Sequence, residues 1–328
     1  MVVVAVALGI ALSRHNHATT LPPSTPSATA SSPAVAPVNS VLEIDPASGK
    51  VLHTTRHRAT NPGGSTPLHE LAIGEGGVWL STLSPGKPGL LHIDEETGGV
   101  RATIPTAFAL GVGGRVAAGY QSVWVPGLGS LQVIDPATDR TVDRLRFGSH
   151  GTPSALALGD RSVWVGFNDG TLLRIDPGSR DVVDEIPVGG SIDVIAVDRT
   201  AVWALDRLDN MLWRVDPDRS KVTGSVHVGG DLAAMTVGFG SVWILDSAAG
   251  TVVPIDPGTL APGAQFRVGN NPFDIAVGLG AVWVTDHADG NIYRIDPSTR
   301  DVSTVHVRSQ LGAIVIDAHA RTIWVDVA

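Results

Sequence analysis

The sequence predicts an all-β fold: a seven-bladed β-propeller of four-stranded blades, closed by pairing N-terminal and C-terminal strands in one blade. Three observations carry that reading. A Trp following Val or Ile stands at Trp79, Trp124, Trp164, Trp203, Trp243, Trp283 and Trp324, close to forty residues apart each time. An Asp closing a second apolar run stands at Asp45, Asp94, Asp135, Asp176, Asp216, Asp256 and Asp296, on the same spacing. A repeat of ~40–45 residues holding about four short strands marks a propeller blade. Finally, the repeats begin and end out of phase. The segment from Ser40 carries the Asp-Pro turn with no Val-Trp strand before it, and Thr322–Val325 carries the Trp strand with nothing after it. Each lacks what the other supplies, which is how a ring closes within one blade and loses its exposed strand edges.

Composition narrows the functional classes. Hydrophobic residues make up 43% of the chain and aromatics only 5%, so the core is built from Val, Ile, Leu and Ala with one Trp per repeat. The 38 glycines and 22 prolines suit many short strands joined by tight turns. A net charge of −9 without a long basic run argues against a nucleic-acid partner. There is no Cys, which excludes disulfide scaffolds, thiolate zinc sites and thiol catalysis.

Ahead of the repeats, residues 1–17 form an apolar segment and residues 18–39 a linker rich in Ser, Thr and Pro. Val2–Leu12 has about half the ~20 apolar residues a spanning helix needs. It has the length of a signal-peptide core but lacks the basic segment that precedes one. Three readings stay open: the remainder of a transmembrane helix, an atypical signal peptide, or a start without function. Prolines at 22, 23, 26, 33 and 37 stiffen the linker into an extended spacer. An apolar anchor through residues 1–12, a stalk and a compact β domain over 40–328 together describe an extracytoplasmic module, membrane-anchored or secreted, with a monomeric propeller.

Within each repeat the strands differ in chemistry. The first reads like Pro272–Gly278, with larger apolar residues eight and six positions before the Trp. Between them stand Ala72, Ala117, Ala157, Ala196, Thr236 and Ala276, and a small residue at that place marks the strand crowded at the axis. The second strand is apolar on both faces, as a strand covered by neighbouring blades should be. The third is mostly apolar, and Pro254 predicts a local bulge there because it donates no ladder bond. The fourth alternates and lies at the wet rim.

The turns separate the two ends of the ring. Gly74-Glu75-Gly76, Gly238-Phe239-Gly240 and Gly278-Leu279-Gly280 join first to second strands, and Asp-Pro turns join third to fourth. Both sets are short and nearly uniform. At the other end the loops vary: Arg56 to Leu68 and Ser81 to Gly89 are long, and Phe147 to Pro153 carries His150. Variable loops on a rigid scaffold are where binding residues are usually placed.

The repeat VGxxPxxIAVGxGAVWVxxxxxGxIxRIDPxT resembles the YVTN/YncE-type and streptogramin-lyase-like (virginiamycin B lyase superfamily) seven-bladed propellers over Ser40 to Ala328. With its apolar segment and stalk, the chain is also similar to extracytoplasmic parts of actinobacterial regulators. The lyase likeness implies a divalent metal held by glutamates, with a His as base, on the variable-loop face. The corresponding positions, three after each Trp, read Thr82, Gly127, Phe167, Asp206, Asp246 and Asp286, with His287 beside the last. The glutamates themselves, at Glu43, Glu70, Glu75, Glu95, Glu96 and Glu185, lie elsewhere. Aspartates can hold Mg²⁺, and they also cap turns before Gly or Asn.

A second set opens the axial strands: His69, Glu70, Arg115, Asp193 and Asp274 should ring one mouth of the channel. Mixed charge in a concavity over an apolar floor suits a ligand site; solvated polar residues at strand ends are the alternative. His150 is a lone loop histidine. No nucleophile elbow, phosphate-cradling loop or paired metal-spaced His is present. The sequence therefore points to a binding or scaffold propeller without a cofactor, recognising a small molecule, a glycan or a protein on its variable-loop face. A Mg²⁺-dependent lyase or hydrolase built on Asp206, Asp246, Asp286 and His287 is the alternative.

Overall fold

A computed structural model describes residues 36–57, 69–84, 87–106 and 116–327. The apolar segment and Arg115 lie outside the described residues. The rest forms seven sheets of four antiparallel strands each. Six blades follow chain order, their first strands opening at Leu71, Ala117, Ala155, Val194, Leu232 and Pro272. The seventh joins Leu311–Asp317 and Thr322–Val327 to Ser40–Ile44 and Val51–Arg56. Register across the junction runs from Ser40 opposite Val327 to Ile44 opposite Ile323. The phase offset in the sequence is thus resolved as ring closure. Ala36 to Asn39, the tail of the linker segment, lies on this blade: Ala36 is buried in its core, its carbonyl accepts from Ser309 Oγ at 2.9 Å, and Asn39 O accepts from His57 N.

The inner strands line a central cavity of about 380 Å³ walled by aliphatic side chains. In six blades the small residue expected at the axis faces the Trp of the second strand, as Ala157 faces Trp164 and Ala276 faces Trp283. The closing blade departs from this, with Val315 opposite Trp324. Its turn is longer there, and Asp317 caps it by accepting from His319 N and Ala320 N.

The Trp rings are buried between blades, and most close the turn before them. Each indole N–H of Trp79, Trp124, Trp164, Trp243 and Trp283 donates to the carbonyl of the Gly five residues earlier, at 2.9 to 3.2 Å. At Trp203 the repeat has Asp198 instead of Gly, and that carboxylate accepts the bond at 3.1 Å. Burying an indole without a partner carries a desolvation penalty, so the turn glycine and the Trp form one device. Glu75, Phe239 and Leu279 take positive φ at the first central position and Gly76, Gly240 and Gly280 at the second. This is the primed turn whose twist matches that of a hairpin.

The outer strands are exposed on alternate residues. Blade five is the exception, though not through the bulge expected at Pro254, since the ladder pairing Pro254 with Trp243 runs without a register shift. Its fourth strand shrinks to Phe266–Arg267, the continuous ladder ends after Val252, and beyond it Pro254 O accepts from Gly263 N at 2.7 Å beside a lone bridge between Ile255 and Pro262.

At the outer end of each third strand the Asp carboxylate accepts from backbone N–H and hydroxyl groups two or three residues ahead, as at Asp45, Asp94 and Asp256. Those bonds hold all seven repeat aspartates below the usual carboxylate range, with Arg219 leading at Asp216; at Asp296, Ser298 and Thr299 bring the value to about 2. A carboxylate depressed on folding contributes stability that is present above its unfolded value and lost as pH falls through its folded value. The melting temperature should therefore hold down to about pH 4 and fall progressively toward about pH 2. Melting curves should show that Asp296→Asn, which keeps an acceptor but cannot titrate, weakens that acid dependence.

Candidate functional site

The variable-loop end of the ring holds a concavity of about 260 Å³. Glu70, Arg207, Ser247, Asn271, Phe273 and Asp274 are among the residues that line it. They come from the starts of first strands and the ends of second strands, which converge at this mouth because the blades are arranged radially. The structure thus brings together Glu70 and Asp274 of the set expected there. Asp193 stands behind the mouth: its carboxylate accepts from Arg207 N at 2.9 Å and lies 3.9 Å from the Arg207 guanidinium. Asp274 is buried and works inside the scaffold. Its carboxylate accepts from Ile275 N at 2.9 Å and from Ile314 N of the closing blade at 3.1 Å. Arg207, half-exposed, and Phe273 escaped the sequence reading. One signal was available: four residues after the Trp, where the other blades have Leu83, Leu128, Asn168, Ser247, His287 and Ala328, only this blade has an Arg or Lys.

Asp206, Asp246 and Asp286 do not come together. Asp206 accepts from Leu208 N and Asp209 N, and Asp246 from Asp231 N and Ala249 N. Asp286 accepts four backbone N–H groups, from Asn270, Asn271, Ala288 and Asp289, all at 2.8 or 2.9 Å. A carboxylate has about four lone-pair sites, so Asp286 has none left for an ion. All three carboxylates also tuck under a glycine of the loop entering their blade. A Cβ at Gly190, Gly230 or Gly269 would collide with Asp206, Asp246 or Asp286 respectively. Asp246 and Asp286 thus bond the blade-to-blade loop to the loop between second and third strands, while Asp206 packs against its entering loop at Gly190. Blade six adds a further lock, in which Tyr293 Oη donates to Asp289 at 2.6 Å, and burial together with that bond pushes the phenol up to about 12.

The two histidines also act locally. His287 is buried and donates from Nδ1 to Leu311 O at 3.2 Å, tying blade six to the closing blade. His150, on the short 3-10 turn Gly148–His150, lies 3.0 Å from Asp169 and packs on Phe167, away from the mouth.

His69 belongs to a cluster that the sequence did not reveal. Its Nδ1 lies 3.0 Å from Asp326 Oδ2, and His57 Nε2 lies 3.3 Å from Asp326 Oδ1. The rings meet edge to face at 5.1 Å. Burial pushes the Asp326 carboxyl up, but the bonds from both imidazoles outweigh it and leave the group below its ordinary value. Here too the repeat held a signal. Two residues after the Trp, other blades have Ser81, Pro126, Gly166, Leu205, Leu245 and Thr285, and only the closing blade has an acid.

No protein-family model matches the chain, and no curated protein does. Among solved structures it is similar to BamB from Moraxella catarrhalis, with a TM-score of 0.58 and 16% identity over 89% of this chain and 92% of that one. The BBS1N chain, solved in complex with ARL6DN, gives 0.63 and 12% over 80% and 92%. The Pan2 WD40 domain of Neurospora crassa gives 0.64 and 12% over 89% and 97%. At such identities the likeness establishes the architecture alone, and the chain is a seven-bladed β-propeller.

Proposed function

We propose that this propeller is a binding and scaffold module of the YVTN class, held outside the cytoplasmic membrane, that takes a protein segment into the mouth of its variable-loop face. The observation that carries the proposal is the composition of that mouth. A half-exposed Arg207, the ring of Phe273, and the polar side chains of Ser247 and Asn271 surround one concavity at the rim of an aliphatic channel. Arg and aromatic side chains at the centre of a concave patch are what binding hot spots are made of. The occupant this suits is an extended segment that offers a carboxylate to Arg207 and an apolar side chain to Phe273. The BBS1N propeller captured with ARL6DN is an example of a similarly folded chain with a protein partner. The extracytoplasmic setting rests on the apolar segment and Ser/Thr/Pro stalk of the sequence. The lyase reading draws no support from Asp206, Asp246 and Asp286, whose carboxylates are engaged by their own loops.

A peptide library displayed on phage and panned on the full chain tests this. Enriched peptides should lose roughly tenfold or more in affinity for an Arg207→Glu, Phe273→Ala variant whose melting curve is unchanged. Failure to enrich any sequence, or equal binding to the variant, would remove the mouth from consideration.

A further inference from the structure

The described residues contain one group of side chains with the make-up of a metal centre, and none of its three members lines the mouth, although His69 adjoins Glu70. His57 follows the outermost strand of the closing blade, His69 stands just before the first strand of blade one, and Asp326 is on the second strand of the closing blade. We propose that these three residues bind one divalent transition-metal ion of the zinc class, which staples the seam of the ring.

Geometry is the first support. One donor atom from each residue lies within 4.8 Å of the other two. Donors bonded at ~2.0–2.1 Å in a tetrahedron stand about 3.3–3.4 Å apart, close to the 3.3 and 3.0 Å between Asp326 and its two imidazoles. Each carboxylate oxygen faces a different ring. An ion between them would thus gather two imidazole nitrogens and one carboxylate oxygen, with a small adjustment of side chains and a water completing the tetrahedron.

Burial is the second. The side chains of His57 and Asp326 are fully buried and that of His69 is 2% exposed. A carboxylate placed in an apolar seam needs strong compensation, and a bound dication with two imidazoles supplies it. The choice of ligands is the third. Paired imidazoles with one carboxylate favour zinc and its neighbours over Mg²⁺ or Ca²⁺, which take oxygen ligands. The enclosed position fits a structural ion. His57 Nδ1 and His69 Nε2 have no partner among the described residues. An outer partner for a ligating imidazole is worth about 10–100-fold in affinity, so the expected binding is micromolar.

The full chain, stripped with a chelator, should be titrated with Zn²⁺ by calorimetry and with Co²⁺ by absorption. The expected result is one equivalent bound, visible Co²⁺ bands of a tetrahedral site, and a melting temperature that rises with free Zn²⁺. Asp326→Asn and, more mildly, His57→Gln should each weaken binding at least about tenfold. The rim histidines provide the control, because Zn²⁺ bound as well by a folded Asp326→Asn protein as by the wild type would sit elsewhere and overturn the proposal. Should both variants fail to fold, the wild-type titration decides. Folded, metal-stripped protein that takes up neither ion at micromolar concentration would reduce the cluster to a hydrogen-bonded clasp. The Arg207→Glu, Phe273→Ala variant should bind the ion normally, so failure at one site leaves the other standing.

Discussion

Deleting Ile323–Ala328 is expected to unfold the propeller. The cut removes the second strand of the closing blade, and with it Ile323, Trp324, Val325 and Val327, all fully buried. It also strips the partner from two strands at once, since Thr322–Val327 pairs with Leu311–Asp317 on one side and Ser40–Ile44 on the other. The outer half of the blade would then be held to the ring by no ladder, and two apolar edges would face water, an invitation to aggregation. Circular dichroism and thermal melting of the truncated chain test this. A cooperative transition at the wild-type temperature would show that the ring does not depend on this closure.

The second large effect concerns the repeat tryptophans. Trp243→Ala should cost about 3–5 kcal/mol, the range for removing a large buried aromatic. Its ring is 3% exposed, packs against Phe266 at 5.7 Å, and holds the turn through Gly238 O. The mutation therefore opens a void between blades five and six and removes the bond that Gly238 O accepts from the indole. Trp213, on the third strand of blade four, is only partly buried, and its indole N–H has no partner among the described residues. Trp213→Ala should cost clearly less. Denaturant titration of both variants measures the difference, and equal losses would mean that the repeat Trp has no special place in the inter-blade packing.

The architecture was legible because it repeats. The Val-Trp and Asp-Pro signals each recur in phase with the blade, so a single ambiguous strand could not mislead, and the offset at Ser40 and Trp324 announced the shared sheet. Pro254 was informative for the same reason, since it breaks the repeat, although what it marks is a shortened outer strand and not a bulge. The site was less legible. Asp206, Asp246 and Asp286 look alike in sequence whether they converge on an ion or each cap a loop. Only the approach of Gly190, Gly230 and Gly269 decides for the loops, and that approach depends on how the chain folds back between blades. Arg207 and Asp326 were visible as departures from the repeat, but their meaning lay in partners such as Asp193, His57 and His69. Two of those, His57 and His69, stand 269 and 257 residues from Asp326 along the chain, and no periodicity connects them.

The register of the seam also sets how the ring bears load. Ser40 and Val327 face each other at the same end of an antiparallel ladder, with Ile44 and Ile323 at the far end. Tension applied through these two points would pull across the strands and part the rungs one after another, instead of shearing them all together. The contact that closes the ring is thus one that force applied there would peel rung by rung. An ion held between Asp326, at the second rung, and His57 and His69 would sit where that peeling has to begin.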